Sequence, residues 1–123
     1  MRQMLIVLSI LLLCNPACAG SRKGSEYVKV VKEKTVLASW YNHGKVTANG
    51  ERFNPRNLTA AHKTLPFGTI VKFTNPENNK VIYVRINDRG PFIRGREYDL
   101  TERAAELLGI KGKGVAKLKA HIL

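Results

Sequence analysis

From Thr69 the chain alternates apolar with polar residues, turns, and alternates back, and that pattern limits the possible folds more than any other feature. Val71 and Phe73 share one side with Lys72 opposed, Asn75-Pro76-Glu77-Asn78-Asn79 interrupts, and Val81 to Asn87 returns with Ile82, Val84 and Ile86 on one side. A two-residue period marks a strand with one buried face, and the interrupting residues favour tight turns, so the segments are expected to form an antiparallel hairpin. The return strand runs into Ile86-Asn87-Asp88-Arg89-Gly90-Pro91-Phe92, which sets a carboxylate at the end of an apolar strand where the backbone must turn.

The other elements are shorter. Val36 to Tyr41 reads as a strand with Leu37, Ser39 and Tyr41 on one face and Val36, Ala38 and Trp40 on the other. Asn49-Gly50 is a two-residue turn signal, whereas Asn54 to Ala61 reads as a loop with at most one helical turn. Glu97 to Leu100 is a short strand, and Thr101 is placed to N-cap a helix from Glu102 to Leu108 that Gly109 stops. Lys117 to Ile122 alternates again, with Leu118, Ala120 and Ile122 expected inside. Several short strands with one brief helix suggest a small closed β-barrel.

The first residues do not belong to that barrel. Arg2, the apolar run Leu5 to Leu13 broken only by Ser9, and the small residues around Ala17-Cys18-Ala19 describe a secretory signal peptide over residues 1–19. The run falls short of the roughly 18 apolar residues a membrane span needs. Both cysteines, Cys14 and Cys18, lie in this leader, so a chain cut after Ala19 has no thiol for disulfides or thiolate metal sites. Lipidation at Cys18 is disfavoured by Asn15 at the outer recognition position, and at Cys14 by bulky Leu13, so free export is expected over anchoring. Residues 20–34 read as a basic tether and 35–123 as one domain, expected to be monomeric. The net charge of +12 favours acidic partners. Its cations are scattered without interleaved aromatics, which describes a solvated basic surface and not a nucleic-acid groove. Contact with a membrane is expected only if Cys18 is lipidated.

Of the nine acidic residues, Glu26 and Glu33 fall in the tether, Glu77 in a turn, and Glu102 and Glu106 on a solvent-facing side of the helix; Glu51, Asp88, Glu97 and Asp99 remain. Asp88 continues the phase of Ile82, Val84 and Ile86, so it is expected to face the barrel interior or mouth. Desolvation there would raise it above the usual value of about 3.9 and keep a proton for donation. The alternative is a residue that caps the Asp-Arg-Gly-Pro turn. Glu51 follows the Asn49-Gly50 turn and should sit at the rim. His62 lies among small residues and is either a proton shuttle or an ordinary hydrogen-bonded side chain. Asp99 either joins the site or caps the helix. Trp40 and Tyr41 either stack on sugar rings or fill core. The three histidines lack metal-ligand spacing, and no phosphate loop or serine-nucleophile motif is present, so neither metal nor cofactor is expected.

Ala38-Ser39-Trp40-Tyr41, Thr47-Ala48-Asn49-Gly50-Glu51-Arg52-Phe53, Leu58-Thr59-Ala60-Ala61-His62, Leu65-Pro66-Phe67-Gly68-Thr69, Val84 to Phe92 and Tyr98-Asp99-Leu100-Thr101 together resemble the blocks of the RlpA (rare lipoprotein A) family. The resemblance implies a six-stranded double-psi β-barrel related to expansins and barwin-like domains. It also implies lytic transglycosylase action on peptidoglycan glycan strands, in which the bond between N-acetylmuramic acid and N-acetylglucosamine breaks as a 1,6-anhydro ring closes. Glu51, His62 and Asp88 match positions tied to activity in that family, and Asp88 with Asp99 matches the aspartate pair of the expansin barrel. In that reading Asp88, Glu51, His62 and Asp99 are catalytic and Trp40, Tyr41, Asn49, Arg89 and Phe92 bind substrate. Asn54 stands where many members carry Asp, which favours the rival expectation of a non-catalytic, expansin-like wall-binding module. Nothing in these residues resembles the glycan-binding SPOR domain of many members, so septal targeting by that route is not expected.

Overall fold

A computed structural model describes residues 33–123. The leader with Cys14 and Cys18, and the expected tether as far as residue 32, lie outside the described residues. Six strands, β1 (Glu33–Tyr41), β2 (Thr59–His62), β3 (Ile70–Thr74), β4 (Val81–Asp88), β5 (Tyr98–Thr101) and β6 (Val115–Ile122), close into a barrel in the order β1-β5-β2-β4-β3-β6, with helix α1 (Glu102–Leu108) between β5 and β6. The β3–β4 hairpin is antiparallel with Val71 opposite Val84 and Phe73 opposite Ile82, as the alternation requires. The inward residues of all six strands form one core with Ala104, Ala105 and Leu108 of α1, and Val71, Phe73, Ile86, Leu100 and Leu118 are wholly buried.

Three departures from the sequence reading have physical causes. β1 begins at Glu33, ahead of Val36, because it pairs with β6 as far as Glu33 opposite His121. The segment read as a loop ends in β2, which lies between parallel β4 and antiparallel β5. A four-residue strand of Thr59-Ala60-Ala61-His62 carries no alternation, and its partners supply what its sequence does not. On β6, Leu118 and Ala120 point inward as expected with Ala116, but Ile122 emerges at the barrel rim 41% exposed.

Helix α1 stops at Gly109 as expected, but its start is held differently from the expectation. Thr101 occupies the N-cap position without a side-chain cap bond, and its hydroxyl donates instead to the carbonyl of Asn57, tying down the segment before β2. Gly109 takes the left-handed conformation at φ 76° that ends the helix, and a Cβ there would meet Asn78 Nδ2 at 2.8 Å. The side-chain amides of Asn75 and Asn78, from the β3–β4 turn, donate to the Leu108 carbonyl at 2.8 and 3.0 Å. The helix end therefore satisfies its free acceptor against the hairpin and is locked to the barrel.

Candidate active site

The decisive local feature is a break in register where β4 ends. Ala60 pairs with Ile86, but the next residue, Ala61, pairs with Asp88, so Asn87 is extra on the β4 side. Such a bulge resets alternation: Ile86 and Asn87 are both buried, and Asp88 leaves the core phase that the sequence assigned to it. Ala61 also pairs with Asp99, and Asp99 with Ser39. Asp88, Ala61, Asp99 and Ser39 thus make one cross-strand row on the face away from the core. The two aspartates flank a methyl group, their backbones about 10 Å apart across two strand spacings.

Three donors converge on Asp88. Its Oδ1 accepts the backbone N–H groups of Ala48 and Arg89, both at 2.9 Å, and its Oδ2 accepts the Tyr41 hydroxyl at 2.9 Å. Tyr41 is steadied by stacking on Phe53 at 4.8 Å between ring centroids, and burial followed by the charge of Asp88 pushes its phenol far up, so it remains a donor. Among the described residues Asp99 accepts only the Ser39 hydroxyl, at 3.1 Å. Burial raises Asp99 above the usual carboxylate value and Asp88 adds to the rise, against the opposing pull of Ser39, Arg96 and His43. A carboxyl group raised by burial thus stands at position 99, and Asp99, standing within β5, does not cap the helix.

Glu51 lies beside this row in a fixed ionic state. Arg85 clasps its carboxylate at 2.6 and 2.9 Å, while the side-chain amides of Asn87 and Asn49 donate at 3.1 and 2.9 Å. These bonds, Arg85 first, hold Glu51 down at about 2. The clasp docks the Val46–Arg52 loop onto the end of β4, with Asn49 N–H on the Asn87 carbonyl, and so aims the Ala48 N–H at Asp88.

His62 follows Ala61, the partner of Asp88, and finds its own partners elsewhere. Its Nδ1 accepts the backbone N–H groups of Thr64 and Leu65 at 3.1 and 3.0 Å, its ring lies against Tyr98, and Nε2 points toward Glu97 at 3.7 Å. Burial lowers its proton affinity, and with Nδ1 occupied as an acceptor the neutral ring presents an N–H at Nε2. Arg89 donates to the carbonyls of His62 and Leu65 and lies 3.9 Å over the ring of Phe67. Phe92, 80% exposed, folds back over Gly90 beyond the end of β4. Trp40 turns to the core side of β1 and donates its indole N–H to the Lys111 carbonyl, away from the aspartate row. Among the described residues no group of three or more His, Cys, Asp or Glu side chains is arranged to hold a metal ion.

The sequence reading did not single out Ser39, Arg85 or Asn87. Each had a signal: Ser39 and Tyr41 are the polar members of one face of β1, and Arg85 with Asn87 interrupts an otherwise apolar strand.

Residues 33–120 match the family model described as "Lytic transglycolase". The "Endolytic peptidoglycan transglycosylase RlpA" of Rickettsia felis is 50% identical over 96 residues, which is 73% of this chain and 42% of the relative. The "Probable endolytic peptidoglycan transglycosylase RlpA" of Synechocystis is 56% identical over 90 residues, 71% of this chain and 28% of the relative. The chain thus spans less than half the length of these relatives. Among solved structures, a Streptomyces papain inhibitor superposes with a TM-score of 0.64 at 19% identity, covering 75% of this chain and 94% of that one. A Clavibacter michiganensis expansin does so with a TM-score of 0.60 at 16% identity, covering 75% and 50%. At such identities these two speak for the barrel alone.

Proposed function

The chain belongs to the lytic transglycolase family, among the RlpA proteins, and from that membership and the geometry above we propose that it cuts peptidoglycan glycan strands internally at the β-1,4 bond from N-acetylmuramic acid to N-acetylglucosamine. The observation that carries this reading is the pairing of Asp88 and Asp99 with Ala61 in one row, one carboxylate ringed by donors and the other desolvated. Two carboxyl groups whose surroundings differ in this way can divide acid from base.

In the proposed reaction Asp99 gives its proton to the departing glycosidic oxygen. Asp88 takes the proton of the muramyl C6 hydroxyl, whose oxygen attacks C1 and closes the 1,6-anhydro ring without water. One proton leaves Asp99 and one arrives at Asp88, so transfer from Asp88 back to Asp99 restores the resting pair. Asp88 also faces the oxocarbenium-like charge that builds at C1. Tyr41 and the Ala48 N–H hold Asp88 in place, and Glu51 acts through that loop as a positioning residue. Tyr41, Asn49, Arg89 and Phe92 border the row and would contact the glycan. His62 serves as a neutral hydrogen-bond donor and carries no proton between groups. The leader pattern supports export to the cell envelope, with lipidation of Cys18 the less favoured route and a monomer as the acting species.

The test is incubation of the purified protein with peptide-stripped peptidoglycan and mass analysis of the products. New 1,6-anhydro ends are expected, and Asp88→Asn and Asp99→Asn should each remove them while retaining the fold by circular dichroism. New reducing ends would make the protein a hydrolase, and binding without fragments would return the wall-binding reading.

A further inference from the structure

The lysines of the chain are spread along its sequence, and strand pairing gathers three of them on one face of the barrel. β6 turns Lys117 and Lys119 outward, since Ala116, Leu118 and Ala120 hold its inner phase. Lys119 lies opposite Thr74 of β3 and His121 opposite Lys72, so Lys72 and Lys119 are diagonal neighbours on the outer side. Neither β3 nor β6 contains an acidic residue, and none of the three lysines forms an ion pair among the described residues. Glu33, opposite His121 on β1, is the carboxylate that the pairing brings to the edge of this face. The same rows carry exposed apolar side chains: Tyr83, 52% exposed, lies opposite Lys72, Val81 lies opposite Thr74, and Ile70 shares the outer side of β3 with Lys72. Strand order turns this face away from the aspartate row, which crosses β4, β2, β5 and β1 while β3 and β6 close the barrel on the other side. On β4 itself Tyr83 precedes Asp88 by about 17 Å of extended chain.

We propose that the outer face of β3 and β6, with the adjoining side of β4, is a docking surface for an anionic lipid bilayer, on which Lys72, Lys117 and Lys119 meet lipid phosphates while Tyr83, Val81 and Ile70 enter the headgroup layer. Charge and apolar content together select this partner. Unpaired lysines on a sheet attract any phosphate-rich surface. A soluble polyanion gains nothing from Val81 and Ile70, whereas the boundary between headgroups and acyl chains takes aliphatic side chains and a phenol whose ring is apolar and whose hydroxyl stays wet. Glu33 opposes the attraction at one edge only. The sequence expectation tied membrane contact to lipidation of Cys18, because the grouping of the lysines arises from strand pairing and is absent from their order along the chain. A barrel resting on a bilayer by β3 and β6 holds Asp88 and Asp99 on its far side, open to a polymer beyond the membrane. Docking by this face is independent of the reaction at the aspartate row.

The experiment measures cosedimentation of the purified protein with vesicles of phosphatidylcholine alone and of phosphatidylcholine with an equal part of phosphatidylglycerol. Binding is expected to the mixed vesicles only and should weaken as salt rises. A lysine at an anionic bilayer contributes about fivefold in affinity, so Lys72→Gln, Lys117→Gln and Lys119→Gln together should cost about a hundredfold. Lys72→Arg, Lys117→Arg and Lys119→Arg together should bind like the parent, which separates charge from folding. Lys45→Gln, Lys63→Gln and Arg94→Gln remove the same charge from exposed positions elsewhere and should cost far less. Tyr83→Ser should weaken binding to the mixed vesicles and leave binding to polyphosphate unchanged. No binding to the mixed vesicles, or equal losses for the two glutamine triples, would overturn the face. Polyphosphate bound as tightly as the mixed vesicles, with no effect of Tyr83→Ser on either, would overturn the bilayer as its occupant.

Discussion

The division of labour between Asp88 and Asp99 can be tested through the titration of Asp99 alone. Burial is the largest cause of its raised value, and the charge of Asp88 adds to it. With two strand spacings between the backbones, about 10 Å, and an effective dielectric constant between about 20 and 40 for a half-buried pair, the repulsion is about 0.8–1.7 kcal/mol, or about 0.6–1.2 pH units. Asp88→Asn should therefore lower the Asp99 midpoint by that amount, with burial still acting to raise it. Ser39→Ala should act oppositely. It removes a hydrogen bond to the charged form, of a kind that contributes about 1.5–3 kcal/mol, so the midpoint should rise by about one to two units. Carboxyl carbon shifts followed by NMR across pH 2 to 8 report both changes. If Asp99 is unmoved by Asp88→Asn, or if the two substitutions shift it the same way, the row does not behave as a coupled pair and the acid assignment fails.

Stability offers a separate check on Asp99. A folded value raised above 3.8 means that ionising Asp99 opposes folding: its contribution is fully present below 3.8 and is lost as pH rises through the folded value. Asp99→Asn should accordingly melt at a higher temperature than the parent at pH 7 and at the same temperature near pH 3, and a variant less stable at pH 7 would contradict the burial argument. For Glu51, held at about 2, the expectation is kinetic. Glu51→Gln should reduce cleavage by loosening the loop that presents the Ala48 N–H, yet leave both limbs of the pH–rate profile where they were. A limb that disappears would make Glu51 a proton carrier after all.

The parts of the fold that were legible in the sequence are those with a long repeat. β3 and β4 announce themselves by alternation and a turn of Asn, Pro and Glu, and α1 by its Gly109 stop. β2 was not legible because four residues, two of them alanine, show no period; the strand exists because β4 and β5 each offer it an unpaired edge. Asp88 was found as a residue, and of the two placements its phase allowed, the barrel interior or the mouth, the interior is the one the register excludes. Extrapolating Ile82, Val84 and Ile86 by two more residues carries it into the core, and the single extra residue at Asn87 undoes that step. A bulge depends on the register of a partner strand, so the sequence of β4 alone cannot disclose it. Glu51 and His62 were recognised as residues, but Arg85, which makes Glu51 a fixed anion, lies 34 residues away, and the burial that keeps His62 a neutral donor is supplied by the folded barrel.

The bulge also bears on why the site can sit on so small a barrel. Had strict alternation continued, Asp88 would have joined Ile86 inside a core where an unpaired carboxylate costs several kcal/mol. Rotated outward, it meets two backbone N–H groups and a phenol that the adjoining loop and β1 supply. The displaced residue, Asn87, is buried in its place, and its amide is useful there: it donates to Glu51 and helps to hold the loop that brings one of those N–H groups. One inserted residue thus frees the carboxylate, places it in line with Asp99, and provides an anchor for its own donor. The same reasoning explains why alanine occupies position 61: it pairs with both aspartates, and a larger side chain there would stand between the two groups that must reach one glycosidic bond.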